Sequence, residues 1–164
     1  MAVGKTSWGA RLARARSVPF VDLDDRVATS AGLSIPDIFR LRGGQAFRTL
    51  EQEALRTICG NPSPMVVATG GGTPCHFDSM QRMLDTGPTI YLALPEPIIV
   101  ARLARNSHQR PLLDGRNPNE LQNYVTETLK ARLPFYERAH LTIDARFCSE
   151  DLLNMALQPL IATP

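Results

Sequence analysis

Apolar residues occur along the chain in short runs that alternate with longer stretches of mixed polarity. Four runs have the compact, β-rich character of strands that are buried on both faces, namely Val18 to Leu23, Met65 to Thr69, Thr89 to Leu94 and Leu141 to Asp144. Helical patterning fills the intervals between them. Strands that alternate with helices are typical of a parallel sheet covered by helices, so the pattern predicts an α/β fold.

The predicted helices cover Lys5 to Arg16, the segments on both sides of Gly43, Phe77 to Leu84, Glu96 to Arg105, Asn119 to Arg138 and Ser149 to Leu160. Ser34, followed by Pro36 and Asp37, predicts a helix start, because a capping side chain precedes a proline in the first turn. The stretch between Asn106 and Pro118 is rich in proline, glycine and polar residues. Its length indicates a functional lid over about residues 105 to 118.

Composition narrows the class of protein further. The 164 residues, 43% hydrophobic and 21% charged, fit a single domain over residues 1 to 164. A net charge of +2 is too small for a nucleic-acid surface made from bulk charge, and no apolar run approaches the roughly 20 residues of a membrane span. Three cysteines without paired spacing indicate neither a disulfide framework nor a zinc cluster. We therefore expect a cytoplasmic protein with no nucleic-acid or membrane partner.

The first candidate for chemistry is the tripeptide Gly4, Lys5 and Thr6 at the start of the first helix. It matches the closing half of the phosphate-binding pattern G-x-x-x-x-G-K-[ST], without the first glycine. In that pattern the backbone N–H groups and the lysine ammonium face the phosphates, and the hydroxyl can hold Mg²⁺. A chance tripeptide before a helix is the alternative.

Two carboxylates, Asp22 and Asp24, lie at the carboxyl end of the first predicted strand. Open α/β sheets place their ligand crevice at this end. Residues two apart on a strand face the same side, so we expect both carboxylates to project into the crevice, one near Mg²⁺ and one toward a substrate hydroxyl. The alternative is that one of them only caps the following helix.

Three consecutive glycines, Gly70, Gly71 and Gly72, follow the Met65 strand. Without side chains they let a ligand approach the backbone, and their N–H groups can form a concave donor surface. A flexible turn is the alternative. Their position at the same end of the sheet as Asp24 favours a binding role.

Arg48, Arg110 and Arg132 are further candidates for anion binding. Glu51, three positions after Arg48 on a predicted helix, is close enough to orient its guanidinium, and a fixed fork suits a carboxylate. Arg110 lies in the long loop, from which it could move over a nucleotide and offset the charge that develops during transfer. Taken singly, each arginine is more often a solvated surface residue.

The order and spacing of these motifs resemble the shikimate kinase family over nearly the whole chain. The likeness rests on six runs, which are 20–24 (FVDLD), 32–39 (GLSIPDIF), 47–51 (FRTLE), 70–72 (GGG), 110–113 (RPLL) and 132–136 (RLPFY). The resemblance implies a three-layer P-loop kinase fold, with a parallel five-stranded sheet flanked by helices and with a lid. It also implies a monomeric enzyme that uses ATP and Mg²⁺ to phosphorylate the 3-hydroxyl of shikimate in the biosynthesis of aromatic amino acids.

On the nucleotide side, the resemblance implies that Gly4 and Lys5 bind the phosphates, that Thr6 ligates Mg²⁺ and that Asp22 supports the metal through water. Arg110 would contact the ATP phosphates when the lid closes. The resemblance implies no particular residue for the adenine.

On the acceptor side, the resemblance implies that Asp24 holds the acceptor hydroxyl and can act as a base. Arg48 and Arg132 would pair with the shikimate carboxylate, and Glu51 would position Arg48. The three glycines would line the floor of the site with backbone donors. Two cationic forks at one end and a carboxylate at the other would leave the ring one productive orientation.

The family's first strand, which lies in the middle of the sheet and leads into the phosphate loop, has no counterpart in this N-terminally shortened sequence. A missing central strand leaves buried backbone groups of its neighbours unpaired, so we expect gaps or strain beside the Met65 and Thr89 strands. The start could lie at an internal methionine of a longer protein, or the shortened chain could exist and be impaired. The intact downstream motifs favour the first explanation.

Other functions remain open on the sequence alone. The chain could be another P-loop kinase that acts on gluconate or a nucleoside monophosphate, a non-catalytic protein that binds shikimate without nucleotide, or a poorly folded fragment. The carboxylate of Asp24 favours a polyol acceptor, because it would repel a phosphorylated one.

Overall fold

The computed structural model describes residues 2–105 and 117–161. Its strands are β1 (Phe20–Asp22), β2 (Val66–Ala68), β3 (Ile90–Ala93) and β4 (Leu141–Asp144). Its helices are α1 (Lys5–Ala15), α2 (Leu23–Ala31), α3 (Ile35–Cys59), α4 (Ser79–Thr86), α5 (Glu96–Arg105), α6 (Pro118–Tyr136) and α7 (Glu150–Ile161), with a short 3₁₀ helix at Thr73–Cys75. The alternation of strands and helices confirms the predicted α/β class.

The four strands form two separate parallel pairs. In the first pair β1 lies beside β2, and in the second β3 lies beside β4. Within residues 2–105 and 117–161 no strand joins β2 to β3. Both strands instead line a cavity of about 880 Å³, whose walls include Val66, Val67, Ile90 and Leu92. We call this space the open cleft, and it confirms the gap expected beside the two strands.

The larger hydrophobic core lies against β3 and β4 and is closed by helices α1, α5, α6 and α7. Its members include Leu12, Leu92, Ile99, Leu103, Val125, Ile143 and Leu153. A smaller core of Val27, Ile38 and Phe47 joins α2 to α3. Helix α1, which contributes Leu12 to the larger core, also contacts β1 and β2, and Val66 of β2 packs against the larger core.

The first strand ends earlier than predicted. The sequence pattern extends it to Leu23, but the structure ends β1 at Asp22, whose side chain accepts a hydrogen bond from Asp24 N at 3.0 Å and caps α2. Leu23 is fully buried although it lies in a helix, and this burial explains why the apolar run predicts a strand that extends to Leu23. Asp24 thus lies in the first turn of a helix, and the prediction that both aspartates project from one strand was wrong.

The long helix α3 is divided at Gly43, as predicted. Gly43 has φ 81° and ψ 169°. This conformation lies outside the helical region, and its positive φ favours glycine. The rings of Phe39 and Phe47 pack across this break with centroids 4.6 Å apart. The predicted start is confirmed as well, since Ser34 Oγ accepts a hydrogen bond from Asp37 N.

Helix α6 begins with a reciprocal cap. The Asn117 side chain accepts from Glu120 N, the Glu120 side chain accepts from Asn117 N, and Pro118 occupies the first turn. Helix α4 starts at Ser79 rather than at Phe77, because the 3₁₀ turn precedes it and Phe77 has φ 53°. No helix in the described ranges is long and apolar enough to cross a bilayer.

Candidate functional site

The candidate site lies where β1 and β2 end. Asp22 closes β1, the glycine run 70–72 follows β2, and α1 begins at Gly4 in contact with both strands. This is the end of a parallel sheet at which ligands bind in open α/β folds. The sequence prediction that these motifs share one edge of the sheet therefore agrees with the structure.

At the start of α1, a backbone turn presents Lys5 and Thr6. Gly4 has φ 87°, a left-handed conformation that suits glycine, and Gly4 O accepts the hydrogen bond from Trp8 N that opens the helix. Thr6 Oγ1 donates to Asp22 Oδ2 at 2.8 Å. Asp22 consequently both caps α2 and contacts the start of α1, so the two alternatives weighed for this aspartate are compatible.

Asp24 is the half-buried carboxylate of the site. Burial raises the pKa of the Asp24 carboxyl above its ordinary value, and the negative charges of Asp22 and Glu51 raise it further. The positive charges of Lys5 and Arg48 act in the opposite direction. The carboxylate thus lies within electrostatic reach of both cations predicted to bind ligand anions.

Arg48 is held by a buried carboxylate, as its spacing from Glu51 predicted. Arg48 Nη1 donates to Glu51 Oε2, and Glu51 itself is 2% exposed. The second carboxylate oxygen, Oε1, accepts a hydrogen bond from Thr73 Oγ1 at 2.5 Å. Both oxygens of Glu51 are therefore engaged, which fixes the plane of the carboxylate and the direction of the arginine fork.

The glycine run is packed against these charged groups. A Cβ at Gly70 would lie 2.9 Å from Glu51 Oε1 and 3.2 Å from Asp24 Oδ1, and a Cβ at Gly72 would lie 2.5 Å from Arg48 Nη2. Because neither glycine has a positive φ, the space and not the backbone conformation requires glycine here. We call Asp24, Arg48, Glu51, Thr73 and residues 70–72 the polar corner.

Helix α6 brings Arg132 and Tyr136 to the same corner. Tyr136 Oη donates to Gly71 O at 2.5 Å. Burial raises the pKa of the Cys75 thiol, and the positive charges of Arg132 and Arg48 lower it. Both arginines therefore act electrostatically on Cys75, which lies in the 3₁₀ turn that follows the glycine run.

The structure brings together ten of the eleven candidate residues, which are Gly4, Lys5, Thr6, Asp22, Asp24, Arg48, Gly70, Gly71, Gly72 and Arg132. Arg110 and most of the predicted lid lie outside the described residues. No role was predicted for Thr73 or Tyr136, although Thr73 directly follows the glycine run and Tyr136 ends the run 132–136. A signal for Tyr136 was present, since it follows Arg132 by four positions and so shares its helix face.

The family model of shikimate kinase matches residues 1–158. The chain belongs to the shikimate kinase family. A shikimate kinase from Parabacteroides distasonis is 37% identical over 145 residues, which cover 88% of this chain and 83% of that protein. A shikimate kinase from Thermus thermophilus is 40% identical over 143 residues, covering 87% and 76% of the two chains.

Solved structures of shikimate kinases share the fold. The enzyme from Bacteroides thetaiotaomicron has a TM-score of 0.85 at 33% identity, and the match covers 98% of this chain and 91% of that one. A shikimate kinase from Acinetobacter baumannii, solved in complex with shikimate, has a TM-score of 0.85 at 32% identity, with 99% and 89% covered. The predicted P-loop kinase fold, with helices on parallel strands, is thus confirmed.

Proposed function

We propose that this shikimate kinase family member transfers the γ-phosphoryl group of ATP to the 3-hydroxyl of shikimate. The observation that carries the proposal is the polar corner. There a buried Glu51 holds Arg48 against a glycine floor, next to the half-buried Asp24. In such a site a small acid with several hydroxyl groups has a cation, Arg48, for its carboxylate and a carboxylate, Asp24, for a hydroxyl group.

On the acceptor side, Arg48 and Arg132 pair with the shikimate carboxylate. A guanidinium whose orientation is fixed binds a carboxylate through two parallel hydrogen bonds. The backbone N–H groups of Gly70, Gly71 and Gly72 form the floor beneath the bound acid. Asp24 then accepts the hydrogen bond of the reacting hydroxyl, so that the ring has one orientation for transfer.

On the nucleotide side, Gly4, Lys5 and Thr6 bind the ATP phosphates at the N-terminus of α1. Thr6 Oγ1 and Asp22 Oδ2 lie 2.8 Å apart at an exposed position. Oxygen atoms are the ligands that Mg²⁺ prefers, and the ion commonly takes its other ligands from water and phosphate. The residues present therefore fit Mg²⁺. When bound, the ion neutralises charge on the phosphates during transfer.

The residues of this chain contribute mainly position and charge. The raised pKa of Asp24 makes it a stronger base than an ordinary aspartate, which suits a group that withdraws the hydroxyl proton as the new bond forms. Lys5 supplies positive charge where the phosphoryl oxygens accumulate negative charge. Arg110, which lies outside the described residues, would add a second positive charge beside the phosphates.

The proposal includes a single domain that works as a monomer in the cytoplasm. A monomer is what the resemblance to the shikimate kinase family implies. Light scattering coupled to size-exclusion chromatography measures this directly, and a stable dimer would contradict it.

ADP release in the presence of ATP, Mg²⁺ and shikimate tests the function. We expect turnover with shikimate that exceeds turnover with gluconate or a nucleoside monophosphate, and the Asp24→Asn variant should lose at least about 100-fold in kcat. Faster turnover of either rival acceptor would replace shikimate as the substrate. Calorimetric binding of shikimate without binding of ATP would instead favour the non-catalytic alternative.

A further inference from the structure

Two hydroxyl groups that take no part in the reaction hold the glycine run from different sides. Thr73 directly follows the run, and its hydroxyl donates a hydrogen bond to Glu51 on α3. The hydroxyl of Tyr136 on α6 donates to the carbonyl of Gly71. Both side chains are buried, with exposed fractions of 0% and 9%. The run is therefore tied to two separate helices by side-chain hydrogen bonds.

The Thr73 hydroxyl completes the coordination of Glu51. Arg48 occupies one carboxylate oxygen and Thr73 the other. Without the hydroxyl, Oε1 would be a buried acceptor that has lost this partner, and the carboxylate could rotate to recover a hydrogen bond. Rotation of Glu51 would turn the Arg48 fork with it, so the direction of Arg48 depends on Thr73.

The Tyr136 hydroxyl fixes a peptide plane. Its bond to Gly71 O sets the orientation of the peptide between Gly71 and Gly72, and in a trans peptide the N–H of Gly72 points the opposite way from that carbonyl. The Tyr136 ring lies 5.0 Å from the ring of Tyr91 on β3, which holds the phenol in place. The donor direction of Gly72 thus depends on Tyr136.

We propose that Thr73 and Tyr136 are positioning residues that set the affinity for the acceptor acid by fixing the Arg48 fork and the Gly72 N–H donor. The inference rests on the proposed function for the identity of the acid. It assigns neither residue a direct contact with substrate. Their hydrogen bonds go to Glu51 and Gly71 on the acceptor side, so we expect the effect to fall on the acceptor acid rather than on ATP.

Steady-state kinetics of the full chain test the proposal with Thr73→Val, Thr73→Ser and Tyr136→Phe. For Thr73→Val and Tyr136→Phe we expect KM for shikimate to rise about tenfold, because a tenfold loss of affinity corresponds to the loss of one hydrogen bond. KM for ATP should stay within twofold. Thr73→Ser keeps the hydroxyl and should retain KM near the wild-type value. Matched controls are Thr57→Val, which removes an exposed hydroxyl bonded to Glu53 O, and Tyr91→Phe, which keeps the ring contact.

The outcomes separate this inference from the proposed function. Wild-type turnover with an unchanged KM for shikimate in Thr73→Val and Tyr136→Phe would overturn the inference and leave the function intact. An equal rise of both KM values, or a failure of Thr73→Ser to retain affinity, would also overturn it, because those results indicate general loosening. Absence of both shikimate turnover and calorimetric shikimate binding by the wild type would overturn the function and the inference together.

Discussion

The polar corner and the open cleft are neighbours that are built in opposite ways. In the polar corner each oxygen of Glu51 has a hydrogen-bond donor, and the glycines leave no unused volume beside Arg48. In the open cleft, β2 and β3 face each other across about 880 Å³ without a strand between them in the described ranges. Both oxygens of Glu51 are thus engaged in the polar corner, whereas no strand in the described part of the chain pairs with the facing edges of β2 and β3.

This difference follows from where each region draws its parts. The polar corner is assembled from α2, α3, the 3₁₀ turn and the glycine run that follows β2. In the open cleft, the facing edges of β2 and β3 have no strand to pair with in the described ranges. Geometry for binding an acid can therefore be complete while the sheet beside it is not.

The largest effect is expected from filling the cleft. An apolar strand of five residues and a short glycine-containing loop, joined upstream of Met1, would pair with β2 and β3. Several new backbone hydrogen bonds at about 0.5–1.5 kcal/mol each, with the apolar surface they bury, should raise the free energy of unfolding by ~5 kcal/mol. Thermal melting followed by circular dichroism, together with the rate of ADP release, measures the result.

A Gly/Ser extension of the same length is the control, since it adds chain without an apolar strand. Equal melting temperatures and equal activities for the original chain and both extended chains would show that the open edges cost nothing.

The next largest effect is expected from breaking the polar corner at Arg48. Arg48→Ala leaves the charge of Glu51 buried without its cation, and loss of one partner of a buried pair costs about 3–5 kcal/mol. Arg40→Ala on the same helix is the matched control, because its ion pair with Asp37 is exposed and exposed pairs contribute little to stability. Urea denaturation of both variants gives the two free energies, and similar losses would refute the contrast between them.

A smaller change tests the packing of the glycine floor. Gly72→Ala places a methyl group 2.5 Å from Arg48 Nη2, so the guanidinium must move and KM for shikimate should rise about 10- to 100-fold. Gly87→Ala serves for comparison, since a Cβ there meets nothing within 4 Å and φ is 171°. If both alanine variants bind shikimate as the wild type does, the floor is not packed as described.

The smallest effect is a pH dependence of stability at Asp24. Because the folded state raises the pKa of Asp24, it holds a proton that the unfolded chain releases, so Asp24 lowers stability as pH rises through its folded pKa. Asp24→Asn should therefore melt at a higher temperature than the wild type at pH 7 to 8, and the gain should vanish below the ordinary aspartate pKa of about 4.

The adjacent Asp25→Asn, on the exposed face of α2, should give no such gain. A gain for Asp24→Asn that persists at acid pH would point to packing rather than to ionisation.

Local sequence signals predicted most of the elements but not all of the contacts. Ser34, Pro36 and Asp37 marked a helix start, and the spacing of Arg48 and Glu51 indicated their ion pair, because both depend on residues three apart. The end of β1 was misplaced, since the burial of Leu23 hid the cap at Asp22. The bonds of Thr73 to Glu51 and Tyr136 to Gly71 join residues 22 and 65 positions apart, which no local pattern encodes.

The reciprocal cap of α6 has a consequence for how such a protein can vary. Asn117 and Glu120 satisfy each other's backbone N–H groups, so the register of the helix that carries Arg132 is determined by residues inside the cap. Insertions or replacements upstream of Asn117 leave that register unchanged. Changes in the sequence before Asn117, where Arg110 lies, can therefore occur without shifting Arg132, which we propose binds the acid.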